Sequence, residues 1–162
     1  MRASIDIGSN STLLLIADVA GGELRVKQDC AEVTALGKGI DKTKLFSQES
    51  MDLSFSVLGN YKEICQQHKI APSQILATAT EASRVVKNAQ DFYRIVKEQL
   101  GLEVKLISAE GEAYYTALGA SLGAQNKSEA LALCDIGGAS TELILFDCHK
   151  KELLDYISLP FG

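Results

Sequence analysis

Apolar residues alternate or cluster in eight short stretches, each with the length and composition typical of a β-strand. They cover residues 3–8, 12–19, 23–33, 74–79, 103–107, 130–136, 141–147 and 152–158. The first three stretches follow one another closely, and the only breaks between them are the turn at 8–11 and Gly21-Gly22. This spacing predicts an antiparallel meander of three strands at the start of the chain.

Three longer stretches with apolar residues at three- and four-residue spacing predict helices. Ser47, Asn88 and Ser108 precede them. We expect each of these side chains to cap its helix, because short polar side chains accept hydrogen bonds from the free amides of a first turn. Gly101 is expected to end the second helix, since glycine adopts the left-handed conformation common at that point.

The predicted order is three strands, a helix, a strand, a helix, a strand, a helix and a closing group of strands. That order is typical of an RNase H-like α/β domain, a mixed sheet with a leading antiparallel meander and flanking helices. The 162 residues suffice for one domain. We expect residues 1–162 to form one domain. Because a domain seldom ends on a turn such as Leu159–Gly162, we also expect this chain to be cut from a larger protein.

The composition excludes several classes of protein. Apolar residues make up 46% and charged residues 23% of the chain, as in ordinary globular proteins. No apolar run is long enough for a membrane-spanning helix, and the net charge of −5 argues against nonspecific nucleic-acid binding. The four cysteines lack metal-site spacing and are expected to be reduced, mostly buried thiols of a cytoplasmic protein.

One short motif occurs twice. Residues 6–12 read DIGSNST and residues 135–141 read DIGGAST, so that five of seven positions are identical. A turn of small residues can direct successive backbone N–H groups at one anion, usually a phosphate. A single turn of this kind equally suits a tight hairpin, but its recurrence favours two phosphate-binding loops. The predicted binding residues are Gly8, Ser9, Asn10, Ser11, Gly137, Gly138, Ala139 and Ser140.

Asp135 and Glu142 lie on either side of the second motif. Carboxylates beside a phosphate loop are suited to hold Mg²⁺, which prefers oxygen ligands and retained waters. An acidic domain that binds a polyanion also has reason to use a divalent cation. The alternatives are a turn-capping role for Asp135 and an exposed position on a strand for Glu142.

Two further charged residues are candidates for chemistry. Glu112, in the first turn of the third helix, could act as a general base on water, although the helix dipole alone favours an acid there. Arg84 could hold a phosphate in bidentate fashion, or it could pair with Glu81 or Asp91. Sequence spacing leaves both choices open.

Several ordered motifs, taken together, resemble the exopolyphosphatase/guanosine pentaphosphate phosphatase (Ppx/GppA) family. The resemblance covers essentially the whole chain. The matching segments are SIDIGSNS at 4–11, LGKGI at 36–40, the stretch from ATAT at 77–80 through Arg84 to Lys87-Asn88, ISAEGEA at 107–113, DIGGASTEL at 135–143 and SLPFG at 158–162. Ala109, Gly111 and Ala139 depart from the family pattern.

This resemblance implies the two-lobed architecture of the actin/Hsp70/sugar-kinase superfamily, with the substrate bound between the lobes. It implies that residues 1–162 are a single N-terminal lobe and that the C-terminal lobe is absent from this chain. It implies that Glu112 is the catalytic base, that Asp135 is the Mg²⁺ ligand with Glu142 a second important acid, and that both loops and Arg84 bind phosphate. The expected reaction is hydrolysis of a terminal phosphoanhydride of polyphosphate or of pppGpp, releasing orthophosphate. The isolated lobe is expected to have weak activity or none, because half of the phosphate grip would lie in the missing C-terminal lobe.

Two other functions stay open at this point. The departures at Ala109, Gly111 and Ala139 motivate a protein that binds polyphosphate or an alarmone without hydrolysing it. A sugar- or acetate-kinase relative would share the first loop, but residues 107–113 and the second loop argue against it. The sequence leaves the oligomeric state open, with a homodimer as one option.

Overall fold

The computed structural model describes residues 1–20, 23–123 and 129–162. The chain divides into two compact units, Met1–Leu106 and Ile107–Gly162. The turn expected at Gly21-Gly22 lies outside the described residues. The expectation of one lobe over residues 1–162 stays a prediction. Of the helices in the described part, none combines the length and apolar composition needed to cross a membrane.

The first unit is a five-stranded mixed sheet with helices. The strand order is β3-β2-β1-β4-β5, with β1, β2 and β3 antiparallel and β4 and β5 parallel to β1. Its elements are β1 (Arg2–Ile7), β2 (Ser11–Ala20), β3 (Glu23–Val33), α1 (Ile40–Thr43), α2 (Gln48–Gln67), β4 (Ile75–Ala79), α3 (Glu81–Val85), α4 (Ala89–Leu100) and β5 (Val104–Leu106).

Alternation along the strands gives this sheet one buried face. In β1 the side chains of Ala3, Ile5 and Ile7 are buried, and the residues between them are more exposed. Strand side chains point to opposite faces in turn, so these three lie on the same side of the sheet. They join one hydrophobic core with buried residues of α2 and α4, including Leu58 and Val96.

The helix ends agree with the sequence in part. The Ser47 hydroxyl accepts a hydrogen bond from the Ser50 N–H (3.1 Å) and caps α2 as predicted. Gly101 ends α4 with a φ of 68°, also as predicted. Asn88 precedes α4 but does not cap it through its side chain. Its Oδ1 accepts from the Phe46 N–H (2.9 Å) and its Nδ2 donates to the Phe46 carbonyl (3.1 Å).

In its described residues, the second unit contains one helix and a three-stranded antiparallel sheet of order β6-β7-β8. Its elements are α5 (Ala109–Gly123), β6 (Ala130–Ile136), β7 (Thr141–Asp147) and β8 (Glu152–Leu159). The Gly111 N–H donates to the Ser108 hydroxyl (3.1 Å), which confirms the predicted cap. Ala113 and Ala117 of α5 are fully buried with Phe146 and Ile144 of β7, so small helix residues allow close packing on the sheet.

The meander of the second unit repeats the start of the first in detail. β1 and β2 enclose the loop 8–10 with Ile7 paired to Thr12, and β6 and β7 enclose the loop 137–140 with Ile136 paired to Thr141. The register shift between the second and third strands also falls at matching places, after Ile16 in one and after Leu145 in the other. The repeated sequence motif therefore belongs to a repeated structural unit.

The cysteines only partly follow the expectation of burial. Cys65 is fully buried, Cys30 and Cys148 are half-buried, and Cys134 is exposed. All four are free thiols in the structure. Cys134 is exposed because alternate residues of β6 are turned away from α5, the helix of the second unit that the structure describes.

Candidate active site

The first loop is held from one side by the segment Thr34–Gly37, here called the first strap. The Asn10 carbonyl accepts hydrogen bonds from the N–H groups of Thr34 (3.0 Å) and Ala35 (2.9 Å), and the Ser9 carbonyl accepts from Gly37 (2.7 Å). Within the loop, the Gly8 N–H donates to the Ser11 carbonyl (2.9 Å). Both exposed peptide units of the loop are thereby fixed by backbone bonds.

These bonds determine where the loop amides point. In a planar trans peptide the N–H is directed opposite to the carbonyl. Because the carbonyls of Ser9 and Asn10 point to the first strap, the N–H groups of Asn10 and Ser11 point away from it. No backbone carbonyl in the described residues accepts from the N–H of Ser9 or Asn10. This orientation is compatible with an anion-binding turn, and phosphate binding by the loop stays a prediction.

The second loop repeats the internal bond of the first. The Gly137 N–H donates to the Ser140 carbonyl at 2.9 Å, the same distance as between Gly8 and Ser11. Within the described segments, the N–H groups of Gly138 and Ala139 have no backbone acceptor. The two loops thus share small residues and the same internal backbone hydrogen bond, one in each unit.

Asp135 and Glu142 are direct cross-strand partners at the base of the second loop. Directly opposed residues of an antiparallel pair lie on the same face with their Cβ atoms about 4.5–5.5 Å apart. Asp135 Oδ2 accepts from the Thr116 hydroxyl of α5 (3.3 Å), and Glu142 Oε1 accepts from the Ser158 hydroxyl of β8 (2.8 Å). The structure therefore brings the two predicted metal ligands together.

Glu142 is only 2% exposed, which rules out its reading as an exposed strand acid. The neighbouring elements α5 and β8 cover this end of β7. The spacing of residues along the strand could not show this burial. Across the described residues, no group of three or more His, Cys, Asp or Glu side chains has the geometry of a metal site. A pair of carboxylates is compatible with Mg²⁺, which keeps several waters.

Glu112 lies in the first turn of α5 and is half-buried. Its N–H donates to the Ser108 carbonyl (2.9 Å), so the residue is an integral part of the helix start. Thr116, which donates to Asp135, follows it by four residues and therefore lies on the same side of the helix. Glu112 thus lies on the side of α5 that contacts the Asp135 carboxylate.

Arg84 pairs with Glu81 across one turn of α3. Glu81 Oε2 accepts from Arg84 Nε (3.0 Å) and Nη2 (2.6 Å), and both side chains are largely buried. The helix starts beside the first loop, because the Thr80 N–H donates to the carbonyl of Ile7, the last residue of β1 (3.3 Å). Of the two sequence alternatives for the partner carboxylate, Glu81 is the one observed.

Sequence reasoning missed a polar pair in the first unit. The hydroxyls of Ser83 and Tyr93 lie 2.6 Å apart. Burial raises the pKa of Tyr93 above its ordinary value, the Ser83 hydrogen bond opposes this, and the charge of Asp6 adds to it. A protonated phenol therefore lies near the acid that precedes the first loop. Ser83 and Tyr93 belong to different helices, so no local pattern links them.

The predicted site residues accordingly form two sets. The first unit contains the first loop and Arg84, and the second contains the second loop, Asp135, Glu142 and Glu112. Convergence of both loops on one polyphosphate stays a prediction. Thr116 could have been found from the sequence, because it follows the candidate base by one helical turn. Ser158 could not, since it reaches Glu142 only through strand pairing.

Comparison with known proteins gives a consistent result. Residues 15–162 match the model of the Ppx/GppA phosphatase family. The chain is 32% identical over its whole length to a bifunctional 3-dehydroquinate synthase/phosphatase of Fusobacterium nucleatum, of which it covers 25%. It thus spans about a quarter of the length of that curated relative.

Similarity to solved structures points to the same family. The Ppx/GppA family member of Aquifex aeolicus is 33% identical with a TM-score of 0.85, over 99% of this chain and 51% of that one. An exopolyphosphatase of Cytophaga hutchinsonii is 27% identical with a TM-score of 0.86, over 99% and 50%. The chain spans about half of each. The predicted fold class, an RNase H-like α/β domain with a mixed sheet, a leading antiparallel meander and flanking helices, is confirmed.

Proposed function

The chain belongs to the Ppx/GppA phosphatase family, and we propose that the protein containing it hydrolyses terminal phosphoanhydride bonds of polyphosphate or pppGpp. Water attacks the terminal phosphorus, the bridging P–O bond breaks, and orthophosphate leaves together with the shortened chain or ppGpp. The observation that carries the proposal is the repeated loop, whose backbone bond between the first glycine and the last serine is the same in both units.

In this proposal each group has a separate task. The loop residues and Arg84 bind the phosphate oxygens through N–H and hydroxyl groups. A chain of negatively charged phosphate groups requires such hydrogen-bond donors. Glu112 accepts a proton from the attacking water. Its place in the first turn of α5 fixes the carboxylate on a rigid element, and the Ser108 cap stabilises that turn.

We further propose that Asp135 and Glu142 hold Mg²⁺. Their cross-strand pairing gives two carboxylates on one face, and the Thr116 and Ser158 hydroxyls orient them. The buried Glu142 carboxylate next to Asp135 also needs a compensating positive charge if both are ionised. The ion would neutralise the charge of the phosphate groups.

The non-hydrolytic alternative rests on the departures from the family pattern, and the structure weakens two of them. Ala139 is not among the described residues with positive φ, so the loop does not require glycine there. The Gly111 N–H still reaches the Ser108 hydroxyl, so the start of α5 keeps its cap without the family's acid.

Phosphate release separates the two functions. The full-length protein is expected to release orthophosphate from polyphosphate, from pppGpp or from both in the presence of Mg²⁺, and to lose that activity with a chelator. Release would be measured colorimetrically, with ppGpp binding titrated in parallel. Binding of ppGpp without release from either substrate would contradict hydrolysis and favour the binding protein.

Glu81→Gln in the full-length protein is expected to tighten orthophosphate binding. The Glu81 carboxylate occupies the Nε and Nη2 donors of Arg84, the donors that a bidentate phosphate would use. Removing its charge weakens this competition, and the inhibition constant of orthophosphate should fall by roughly three- to tenfold. Product inhibition of phosphate release provides the measurement.

The matched control for this prediction is Asp91→Asn. Asp91 pairs with Arg94 over the same three-residue spacing (3.2 Å), but on an exposed surface. Its replacement should leave orthophosphate inhibition unchanged. An equal or weaker inhibition in Glu81→Gln would show that Arg84 does not contact phosphate.

A further inference from the structure

The first strap approaches its loop so closely that a side chain at Gly37 would be crowded. A Cβ atom added at Gly37 would lie 3.0 Å from the Cβ of Ser9 and 3.1 Å from its carbonyl oxygen. Real Cβ atoms rarely have contacts this short. Glycine at this position therefore permits the hydrogen bond from Gly37 to Ser9 that fixes the loop carbonyl.

The second loop has a corresponding segment. In the first meander Thr12 pairs with Glu32, and Thr34 and Ala35 then contact the loop. In the second meander Thr141 pairs with Leu159, so Phe161 and Gly162 stand at the matching places. We call Phe161–Gly162 the second strap.

The threonine after each loop touches its strap. The hydroxyls of Thr12 and Thr34 lie 3.1 Å apart, and the Thr141 hydroxyl donates to the Phe161 carbonyl (2.8 Å). The equivalence of the two straps therefore rests on a side-chain contact as well as on strand register.

Gly162 is the point of closest approach in the second strap. A Cβ atom added there would overlap the carbonyl oxygen of Gly137 and lie 2.7 Å from the Ala139 nitrogen and from the Gly138 carbonyl carbon. All three are backbone atoms, which cannot rotate aside as the end of a flexible side chain can. Any side chain at 162 must therefore move the strap or the loop.

We propose that Gly162 is a positioning residue for the second loop. Its missing side chain lets the second strap lie directly on Gly137–Ala139, which holds the Ala139 N–H in the direction that an anion requires. This inference rests on the proposed function, because it gives the second loop a phosphate to bind. It adds a requirement for glycine at a residue outside the loop itself.

Gly162→Ala in the full-length protein tests the proposal. The inhibition constant of orthophosphate and the KM for the substrate are expected to rise roughly tenfold or more, the effect of losing one well-directed donor to an anion. The melting temperature should change by no more than about 3 °C, since no core residue is altered. Unchanged phosphate affinity would overturn the proposal.

Gly119→Ala is the matched control. A Cβ atom at Gly119, in α5, would meet nothing within 4 Å, and alanine favours the helix. Its KM and inhibition constant should equal those of the wild type. A purely structural role for Gly162 would appear as a lower melting temperature with an unchanged inhibition constant, and this result would also refute the inference.

Thr141 supplies a second, milder variant if Gly162→Ala does not fold. Thr141→Val removes the hydrogen bond to the Phe161 carbonyl while keeping the shape of the side chain. It should raise the inhibition constant of orthophosphate about three- to tenfold, within the range of one hydrogen bond. Thr141→Ser keeps the hydroxyl and should have the inhibition constant of the wild type. Equal constants for the valine and serine variants would count against the strap.

Hydrogen exchange separates this inference from the proposed function. In the ligand-free protein, the amides of residues 137–140 should exchange at least about threefold faster in Gly162→Ala than in the wild type, because the strap no longer covers them. Wild-type protein that releases no phosphate would contradict the proposed function alone. Identical exchange in both proteins would contradict the role of Gly162, whatever the activity.

Discussion

Glu112→Gln in the full-length protein is expected to lower kcat for phosphate release by about 10²- to 10⁴-fold, the usual contribution of a general base. Glutamine has nearly the same shape but cannot accept the proton of the attacking water. Substrate binding depends on the loops, so the dissociation constant should stay within about threefold of the wild-type value. Phosphate release and equilibrium binding of the substrate are the two measurements.

The structure supports this prediction through the position of Glu112 on α5. The residue is half-buried and joined by its backbone to Ser108. It shares a side of the helix with Thr116, which donates to Asp135. An acid present only to complement the helix dipole would need neither partial burial nor this orientation.

Glu110→Gln is the control, because Glu110 lies in the same turn of the same helix but is exposed. The dipole interpretation predicts similar, small effects for both variants, each a fraction of a kcal/mol in stability. The base interpretation predicts loss of activity for Glu112→Gln alone. Full activity in Glu112→Gln would remove this residue from the mechanism.

The strands could be predicted from the sequence because alternation is a local property. All eight predicted strands are present, and each has bounds within two residues of those expected. The helices α1 and α3 were not predicted, because four and five residues are too few to show a helical period. Asn88 was misjudged as a cap because its partner, Phe46, is 42 positions away in the chain.

The residues of the candidate site could be predicted where they lie in short sequence motifs. Both loops and Asp135 are visible in a repeated heptapeptide, and Glu142 directly follows its second copy. The burial of Glu142 and the two straps were not visible, because they depend on strand register and on backbone contacts between distant segments. Gly37 and Gly162 look like ordinary turn glycines until the contacts of a Cβ atom are considered.

Asp135→Asn is expected to reduce phosphate release at least about 100-fold at millimolar Mg²⁺ and to raise the half-saturating Mg²⁺ concentration about tenfold or more. Asparagine keeps the acceptor for the Thr116 hydroxyl but loses the negative charge that holds a divalent cation. Of the proposed pair of ligands, only the carboxylate of the buried neighbour Glu142 would then be left to bind the ion. Calorimetric titration of Mg²⁺ measures this loss without reference to activity.

Asp155→Asn is the matched control on the same sheet. Asp155 is exposed on β8. In the part of the chain that the structure describes, its Oδ1 accepts one local hydrogen bond, from the Tyr156 N–H (2.9 Å). Its replacement removes the same charge from the second unit and should change neither Mg²⁺ binding nor turnover. If the two variants lost Mg²⁺ affinity equally, the effect would reflect net charge, and Asp135 would not be a ligand. If neither lost it, the ion would be held elsewhere, and the cross-strand pair with Glu142 would serve only to shape the loop.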